Sequence, residues 1–477
     1  MVDLNKINIK FGTSGLRGLS SDFSPDVCHM FVTSFIKTIK DRYNFSNIAI
    51  GIDNRPSSPD IARYCISAIY SQGIDVDYCG VLPTPALAYY SFQNKIPCIM
   101  ITGSHIPFDR NGMKFYLPDG EISKGDEQAI IDNVNKHVTL NIITDLPHPN
   151  ESAILTYIKR YTSFFPSDLL RGKRIGIYEH SSAGRDIYNK LFSALGAETI
   201  SLGRSDCFVP IDTEAVSLED QVKARCWARE FKLDAIFSTD GDGDRPLVAD
   251  NNGQWIKGDV LGFLCSVALD VDAIVVPINC NSMIGKVGTL ISVTRTRIGS
   301  PYVLDGINRL KKTGNIVAGF EANGGYILSS TICKNGRVLE HLATRDALLP
   351  ALAVLSLAYQ NYRNINELLV TLPKIYTASD RIQDVSNEFN TLYVDNIKKE
   401  PKKYFERIGV EGSIIDINML DGIRVVFNDN KIIHIRPSGN APELRCYCES
   451  DSLKHAESLV QKVLNDAKFL SGISMSL

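Results

Sequence analysis

Short apolar runs alternate with amphipathic stretches through most of this chain. Asn47 to Ile52 has the length and composition of a buried strand. Ser58 follows as a helix cap, with Pro59 at the first helical position. Ile61, Ala62, Cys65, Ile66 and Ile69 then recur at helical spacing and form one apolar face. Gly73 closes that helix, and Asp75 to Cys79 reads as the next strand. The scheme returns at Arg174 to Tyr178. A polar loop, His180 to Gly184, leads into a helix carrying Ile187, Leu191, Phe192 and Leu195, and a strand follows at Glu198 to Leu202. A third copy opens with Ala273 to Pro277 and the polar loop Asn279 to Ser282. The alternation predicts an α/β protein, and the recurrence predicts one α/β unit used three times.

The last hundred residues change pattern. Short alternating segments at Ser413 to Asn418, Arg424 to Phe427, Lys431 to Arg436 and Leu444 to Glu449 are separated by turn signals at Asp421-Gly422 and Asn428-Asp429-Asn430. A helix is predicted from Leu453 to Phe469. This is the pattern of an antiparallel sheet with helices, a separate α+β module. Polar breaks at Thr144 to Ser152, Asp250 to Gly253 and Leu372 to Ser379 divide the chain into 1–150, 151–252, 253–372 and 373–477.

Composition narrows the function classes. A net charge of −3 gives no electrostatic case for nucleic acid or a membrane surface, so any phosphate binding must be local. No apolar run approaches the length of a membrane span, and Met1 to Lys10 lacks an apolar signal core, which leads us to expect a cytoplasmic protein. The eleven cysteines include no C-x-x-C pair and read as reduced thiols, mostly core filling, rather than as a zinc site.

The sharpest chemical signal is Ser238-Thr239-Asp240-Gly241-Asp242-Gly243-Asp244-Arg245, at the end of an apolar stretch. Three carboxylates two apart, separated by glycines, suit a hard cation such as Mg²⁺. An EF-hand is excluded, because its sixth and twelfth positions hold Arg245 and Asn251 instead of Gly and Glu. A solvated acidic turn is the bland alternative. A phosphotransferase with Asp240 as nucleophile and Asp242 as acid/base is the rival chemistry, since D-x-D-G after a strand resembles the first motif of the haloacid dehalogenase superfamily.

Further loops carry candidate groups. Thr102-Gly103-Ser104-His105-Ile106-Pro107 ends an apolar run and is followed by Asn111-Gly112-Met113-Lys114-Phe115. Ser104 is a candidate nucleophile with His105 beside it, although no G-x-S-x-G elbow marks a triad hydrolase. Gly319-Phe320-Glu321-Ala322-Asn323-Gly324-Gly325 offers an acid and an amide suited to sugar hydroxyls. Arg436-Pro437-Ser438-Gly439-Asn440, with Arg445 close behind, suits a phosphate clamp. Phe11 to Gly18 is glycine-rich with one arginine, Arg17, and matches neither a Walker loop nor a dinucleotide fingerprint.

Taken in order, F-G-T-S-G-L-R-G, T-G-S-H-I-P with N-G-M-K-F, D-G-D-G-D-R, G-F-E-A-N-G-G and R-P-S-G-N resemble the α-D-phosphohexomutases, the phosphomannomutase/phosphoglucomutase family, along essentially the whole chain. The resemblance implies four domains around a central cleft, three alike and a small fourth. It implies that Ser104 carries a phosphoryl group, with one Mg²⁺ bridging that phosphate and Asp240, Asp242 and Asp244. Glu321 and Asn323 would bind sugar hydroxyls. Arg436, Ser438, Asn440 and Arg445 would hold the phosphate that is not reacting. Arg17 and Lys114 would lie beside the phosphoserine, Lys114 as a proton carrier, and Arg245 would order the metal loop.

The reaction implied moves a phosphoryl group between hexose 1-phosphate and 6-phosphate through a glucose or mannose 1,6-bisphosphate, which also serves as activator. Hexose phosphates are the expected partners, in a monomer or homodimer. The chain departs from the family's usual loops at Gly103, Ile106, Asn323, Gly325 and Asn440, which bears on substrate preference. The combination T-G-S-H-I-P with G-F-E-A-N-G-G favours mannose phosphate, ahead of glucose phosphate and glucosamine phosphate. A silent sugar-phosphate-binding paralogue is the non-enzyme alternative, and Ser104, the three aspartates and Lys114 argue against it.

Overall fold

The computed structural model describes residues 9–12, 15–134, 142–288, 291–313, 315–438 and 442–472. Its first three sheets contain the same four-strand arrangement. In the first, Asn47–Ile52 lies parallel to Asp75–Val81 on one side and to Cys98–Ile101 on the other, and Arg110–Leu117 adds antiparallel to Cys98–Ile101. In the second, Arg174–Tyr178 lies between Glu198–Leu202 and Ala235–Thr239, with Pro246–Ala249 antiparallel at the edge. In the third, Ala273–Pro277 lies between Ser292–Thr296 and Val317–Phe320, with Tyr326–Leu328 antiparallel. The unit predicted from the sequence therefore recurs three times. Its central strands are apolar throughout because helices cover both faces, as in Ile48 to Ile52, all buried.

This repetition places the chemistry. In each unit the third parallel strand turns into the antiparallel strand through one short loop. Those loops are 102–109, 240–245 and 321–325, the serine, acidic and glutamate loops of the sequence. Parallel strands send their C-terminal ends to one side of a sheet, where α/β proteins gather ligand sites. The first sheet is extended by Leu16–Leu19, whose Arg17 lies opposite Gly112 and so reaches the serine loop.

The fourth sheet is antiparallel, in the order Tyr376–Ile382, Leu444–Ser450, Ile432–Pro437, Ile423–Phe427, Ile414–Asn418. Helix Leu453–Ser471 packs on it. One continuous core joins residues of the first three units, from Ala49 to Leu368. The fourth has its own, from Ile382 to Ala467.

Two sequence expectations are corrected. Ser58 does not cap the helix Ser58–Tyr70. Ser57 holds the cap position, and the Ser58 hydroxyl instead donates to Asp53 at 2.6 Å. The stretch 372–379, read as a break, contains the start of the edge strand Tyr376–Ile382. Eight of the eleven cysteines are buried and all are free thiols.

Candidate active site

Ser104 sits just past Cys98–Ile101 with a left-handed backbone, φ 54°, and is 4% exposed. Its amide donates to Thr102 Oγ1 at 2.7 Å. Arg17 Nη1 braces the same turn by donating to the Thr102 carbonyl at 2.8 Å. Arg55 holds the loop from within. Its guanidinium donates to the carbonyls of Ser104, Ile106, Pro107 and Arg110 at 2.9, 2.6, 2.6 and 2.9 Å, and Nε pairs with Asp53 at 3.1 Å. The Phe208 ring covers its face at 4.0 Å. Arg55 also explains Gly103: a Cβ there would lie 2.5 Å from the Arg55 Cζ.

The acidic loop meets the serine directly. Ser104 Oγ donates to Asp240 Oδ2 at 2.6 Å. Asp240, Asp242 and Asp244 are fully buried, and one oxygen from each lies within 4.8 Å of the others. Lys114 Nζ donates to Asp242 Oδ2 at 2.6 Å and to Asp244 Oδ2 at 2.7 Å, and Thr84 Oγ1 donates to Asp242 Oδ2 at 2.6 Å. Asp240 Oδ1 accepts the amides of Asp244 and Arg245 at 3.2 Å each. Asp242 Oδ1 and Asp244 Oδ1 are buried without a hydrogen-bond partner. A buried oxygen left so costs about 1–3 kcal/mol. A hard cation held by these three acids relieves that cost, so the donor set fits a divalent ion such as Mg²⁺.

Burial, then Asp242 and Asp244, push the Asp240 carboxyl well up. Burial and Asp244 push Asp242 up as well, but Lys114 and Thr84 outweigh them and leave it low. Burial opposes Asp244 too, and Arg345, Lys114 and Arg245 hold it far below the carboxylate range. His105 Nδ1 lies 3.0 Å from Arg245 Nη1 and 3.4 Å from Ser104 Oγ. The Arg245 charge, then burial, hold the imidazole down to about 3, so the ring is neutral and Nδ1 accepts from the arginine.

The glutamate loop joins this cluster through a residue that the sequence did not mark. Arg345, on the strand Leu342–Asp346, donates to Asp244 Oδ2 and to Glu321 Oε1. Asn323 Oδ1 accepts the Gly325 amide at 3.0 Å, and Thr213 Oγ1 donates to the Asn323 carbonyl at 2.9 Å. Arg55, Thr84, Thr213 and Arg345 all escaped the sequence reading.

In the fourth sheet Arg436 lies directly opposite Arg445, and Arg445 lies opposite Arg381 on its other side. Like charges facing one another across strands are unfavourable. Acids steady them. Arg436 Nε donates to Asp421 at 3.2 Å, and Arg445 donates twice to Glu443 Oε2, at 3.1 and 2.9 Å. The Ser438 amide donates to the Glu443 carbonyl at 2.8 Å. A row of guanidiniums has the charge and the donors that suit an anion. Asn440 lies outside the described residues. Among the described residues no helix is long and apolar enough to cross a membrane.

Comparison with known proteins agrees with this geometry. Family models for phosphoglucomutase/phosphomannomutase match in order: alpha/beta/alpha domain I over residues 8–140, domain III over 257–376 and the C-terminal domain over 377–466. The chain is 50% identical over 471 residues to a phosphomannomutase of Salmonella muenchen, covering 98% of this chain and 97% of that one. It is 39% identical over 465 residues to a phosphomannomutase of Sinorhizobium fredii, covering 95% and 98%. A solved phosphoglucomutase/phosphomannomutase family protein from Burkholderia thailandensis shares the fold, with a TM-score of 0.76 across 98% of each chain at 19% identity. A serine hydrogen-bonded to a buried acidic triad, on a three-fold repeated α/β frame and in a sequence half identical to a phosphomannomutase, makes this chain a member of the phosphoglucomutase/phosphomannomutase family, the α-D-phosphohexomutases, and a mutase.

Proposed function

We propose that the chain is a phosphomannomutase that interconverts mannose 1-phosphate and mannose 6-phosphate through a phosphoserine at Ser104. The observation that carries this reading is the 2.6 Å contact between Ser104 Oγ and Asp240, in a chain 50% identical to a phosphomannomutase along 98% of its length. The phosphoryl group on Ser104 passes to the free hydroxyl of the sugar phosphate: the bond from phosphorus to Ser104 Oγ breaks and a bond to the sugar oxygen forms. The resulting 1,6-bisphosphate turns over, and its other phosphoryl group returns to Ser104.

Asp240, Asp242 and Asp244 would hold Mg²⁺, which when bound neutralises charge on the transferring group. Lys114, against Asp242 and Asp244, is placed to pass a proton at the sugar oxygen. Arg17 and Arg55 keep the serine turn rigid, and Arg245 orders His105 against it. Glu321 and Asn323 read sugar hydroxyls. Arg436, Ser438, Asn440 and Arg445 grip the phosphate that is not reacting. We assign these parts to domains 1–150, 151–252, 253–372 and 373–477. The last, with a core of its own, is the part suited to move over the substrate.

Coupled assays with mannose 1-phosphate, glucose 1-phosphate and glucosamine 1-phosphate test the assignment. Mannose 1-phosphate is expected to give the highest kcat/KM. A higher value for either of the others overturns the mannose assignment, and no turnover of any of them overturns the reaction.

A further inference from the structure

Arg345 is 3% exposed. A guanidinium is tolerated at such depth only where anions meet it. Its Nε and Nη2 donate to Asp244 Oδ2 at 3.2 and 2.8 Å, and its Nη1 donates to Glu321 Oε1 at 3.1 Å. One planar fork thus spans the acidic loop of the second unit and the glutamate loop of the third. Gly325 fits the same picture. A Cβ there would come within 2.7 Å of the Arg345 Cδ and 3.1 Å of its Cβ and Cγ. Gly325 is not among the glycines with a left-handed backbone, so its conformation does not call for glycine. The stem of Arg345 does.

We propose that Arg345 is a positioning residue that fixes the Glu321 carboxylate against the acidic loop, with Gly325 as the space through which its side chain runs. Sugar recognition and phosphoryl transfer are thereby held in one register. The proposal rests on the mutase reading above. Lysine cannot take over the task, because a single ammonium lacks the fork that meets two acids at fixed angles.

The test compares Arg345→Lys, Glu321→Gln, their double variant, Gly325→Ala, Arg345→Ala, and Gly325→Ala combined with Arg345→Ala. KM and kcat for mannose 1-phosphate and thermal midpoints are measured for each. Arg345→Lys and Glu321→Gln are each expected to raise KM by about tenfold or more, the scale of a lost charge-assisted hydrogen bond. Because the two side chains act as one unit, the double variant should be no worse than the worse single one. Gly325→Ala should reproduce the Arg345→Lys defect and add little in the Arg345→Ala background.

Losses that multiply in the double variant, or a KM that stays at the wild-type value in Arg345→Lys, overturn the proposal. So does a KM defect that merely follows the thermal midpoint. A parallel experiment keeps this apart from the mutase reading itself. The wild-type chain is incubated with a labelled hexose 1,6-bisphosphate and Ser104 is examined for label. An unlabelled Ser104 overturns the mutase reading. A labelled Ser104 with multiplying losses overturns the role of Arg345 alone.

Discussion

Ser104 and Asp240 stand 136 positions apart in the chain, and the serine hydroxyl donates to the aspartate at 2.6 Å. The contact sets the two candidate phosphoryl carriers side by side and so frames the first prediction. A phosphoserine survives hydroxylamine, whereas an acyl phosphate on Asp240 is cleaved by it. Label from a hexose 1,6-bisphosphate is expected on Ser104 and to be hydroxylamine-stable. Ser104→Ala should lose most turnover while still binding hexose phosphate by calorimetry. Hydroxylamine-labile label on Asp240 would sink the serine mechanism.

The second prediction concerns the ion. Asp242 carries a buried oxygen with no partner and another held by Lys114 and Thr84. Asp242→Asn removes one of three charges from the cation site and offers Lys114 a poorer acceptor. Activity should fall by about 10²-fold or more, on the scale of lost electrostatic stabilisation at a transfer site. Chelation of the wild type should abolish turnover, and added Mg²⁺ should restore it. Full activity of Asp242→Asn in excess chelator would refute the metal assignment.

Much of this architecture was readable because it is local. The runs Asn47 to Ile52, Arg174 to Tyr178 and Ala273 to Pro277 are strands with the predicted ends, since their apolar length leaves no other place for them than a sheet covered on both faces. What escaped was held by tertiary contact. Arg55 and Arg345 are buried cations whose contacts reach loops distant in the chain, the serine loop for Arg55 and the acidic and glutamate loops for Arg345. Asp53 and Arg55 at the end of an apolar strand were the available signal for one. A charged residue inside Leu342–Asp346 was the signal for the other. The strand Tyr376–Ile382 was missed because it is an edge strand, exposed through Asp380 and Arg381, with no run of apolar side chains. Ser58 was misread as a cap because sequence cannot show that Asp53 takes its hydroxyl.

A pH dependence follows from Glu214, which lines a cavity with Lys257, Ala322 and Tyr447. Burial, then the charge of Asp212, push its carboxyl up to about 7, against the pull of Arg245 and Arg445 and with Glu321 pushing the same way. An unfolded glutamate titrates at about 4.3. Between those values the folded chain holds more protons than the unfolded one, so this group's contribution to stability falls as pH rises through that window. Glu214→Gln removes the titration. The thermal midpoint of the variant should therefore gain on the parent from about pH 4 to about pH 7. An ionised Glu214 would also repel an anionic substrate entering that cavity, so KM for mannose 1-phosphate should climb across neutral pH more steeply in the parent. Midpoint and KM curves that stay parallel in the two proteins would remove Glu214 from this role.

The last prediction concerns the facing arginines of the fourth sheet. Arg436 and Arg445 are cross-strand partners, each steadied by a single acid, Asp421 or Glu443. Two cations so placed gain from a shared phosphate, and a bidentate arginine contact is one that lysine cannot copy. In the proposed cycle the sugar phosphate would present its spare phosphate to this pair in either orientation, because the transferring group must lie at Ser104 both times. Arg436→Lys should therefore impair the forward and reverse reactions alike, each by about tenfold or more on the scale of a lost charge-assisted contact. It should also release more free 1,6-bisphosphate per turnover, since the intermediate depends on recapture by the clamp after it swings round. Steady-state rates in both directions, with released bisphosphate quantified, check this. A variant that damages one direction only, or that leaves both rates intact, shows that the two half-reactions do not share the clamp.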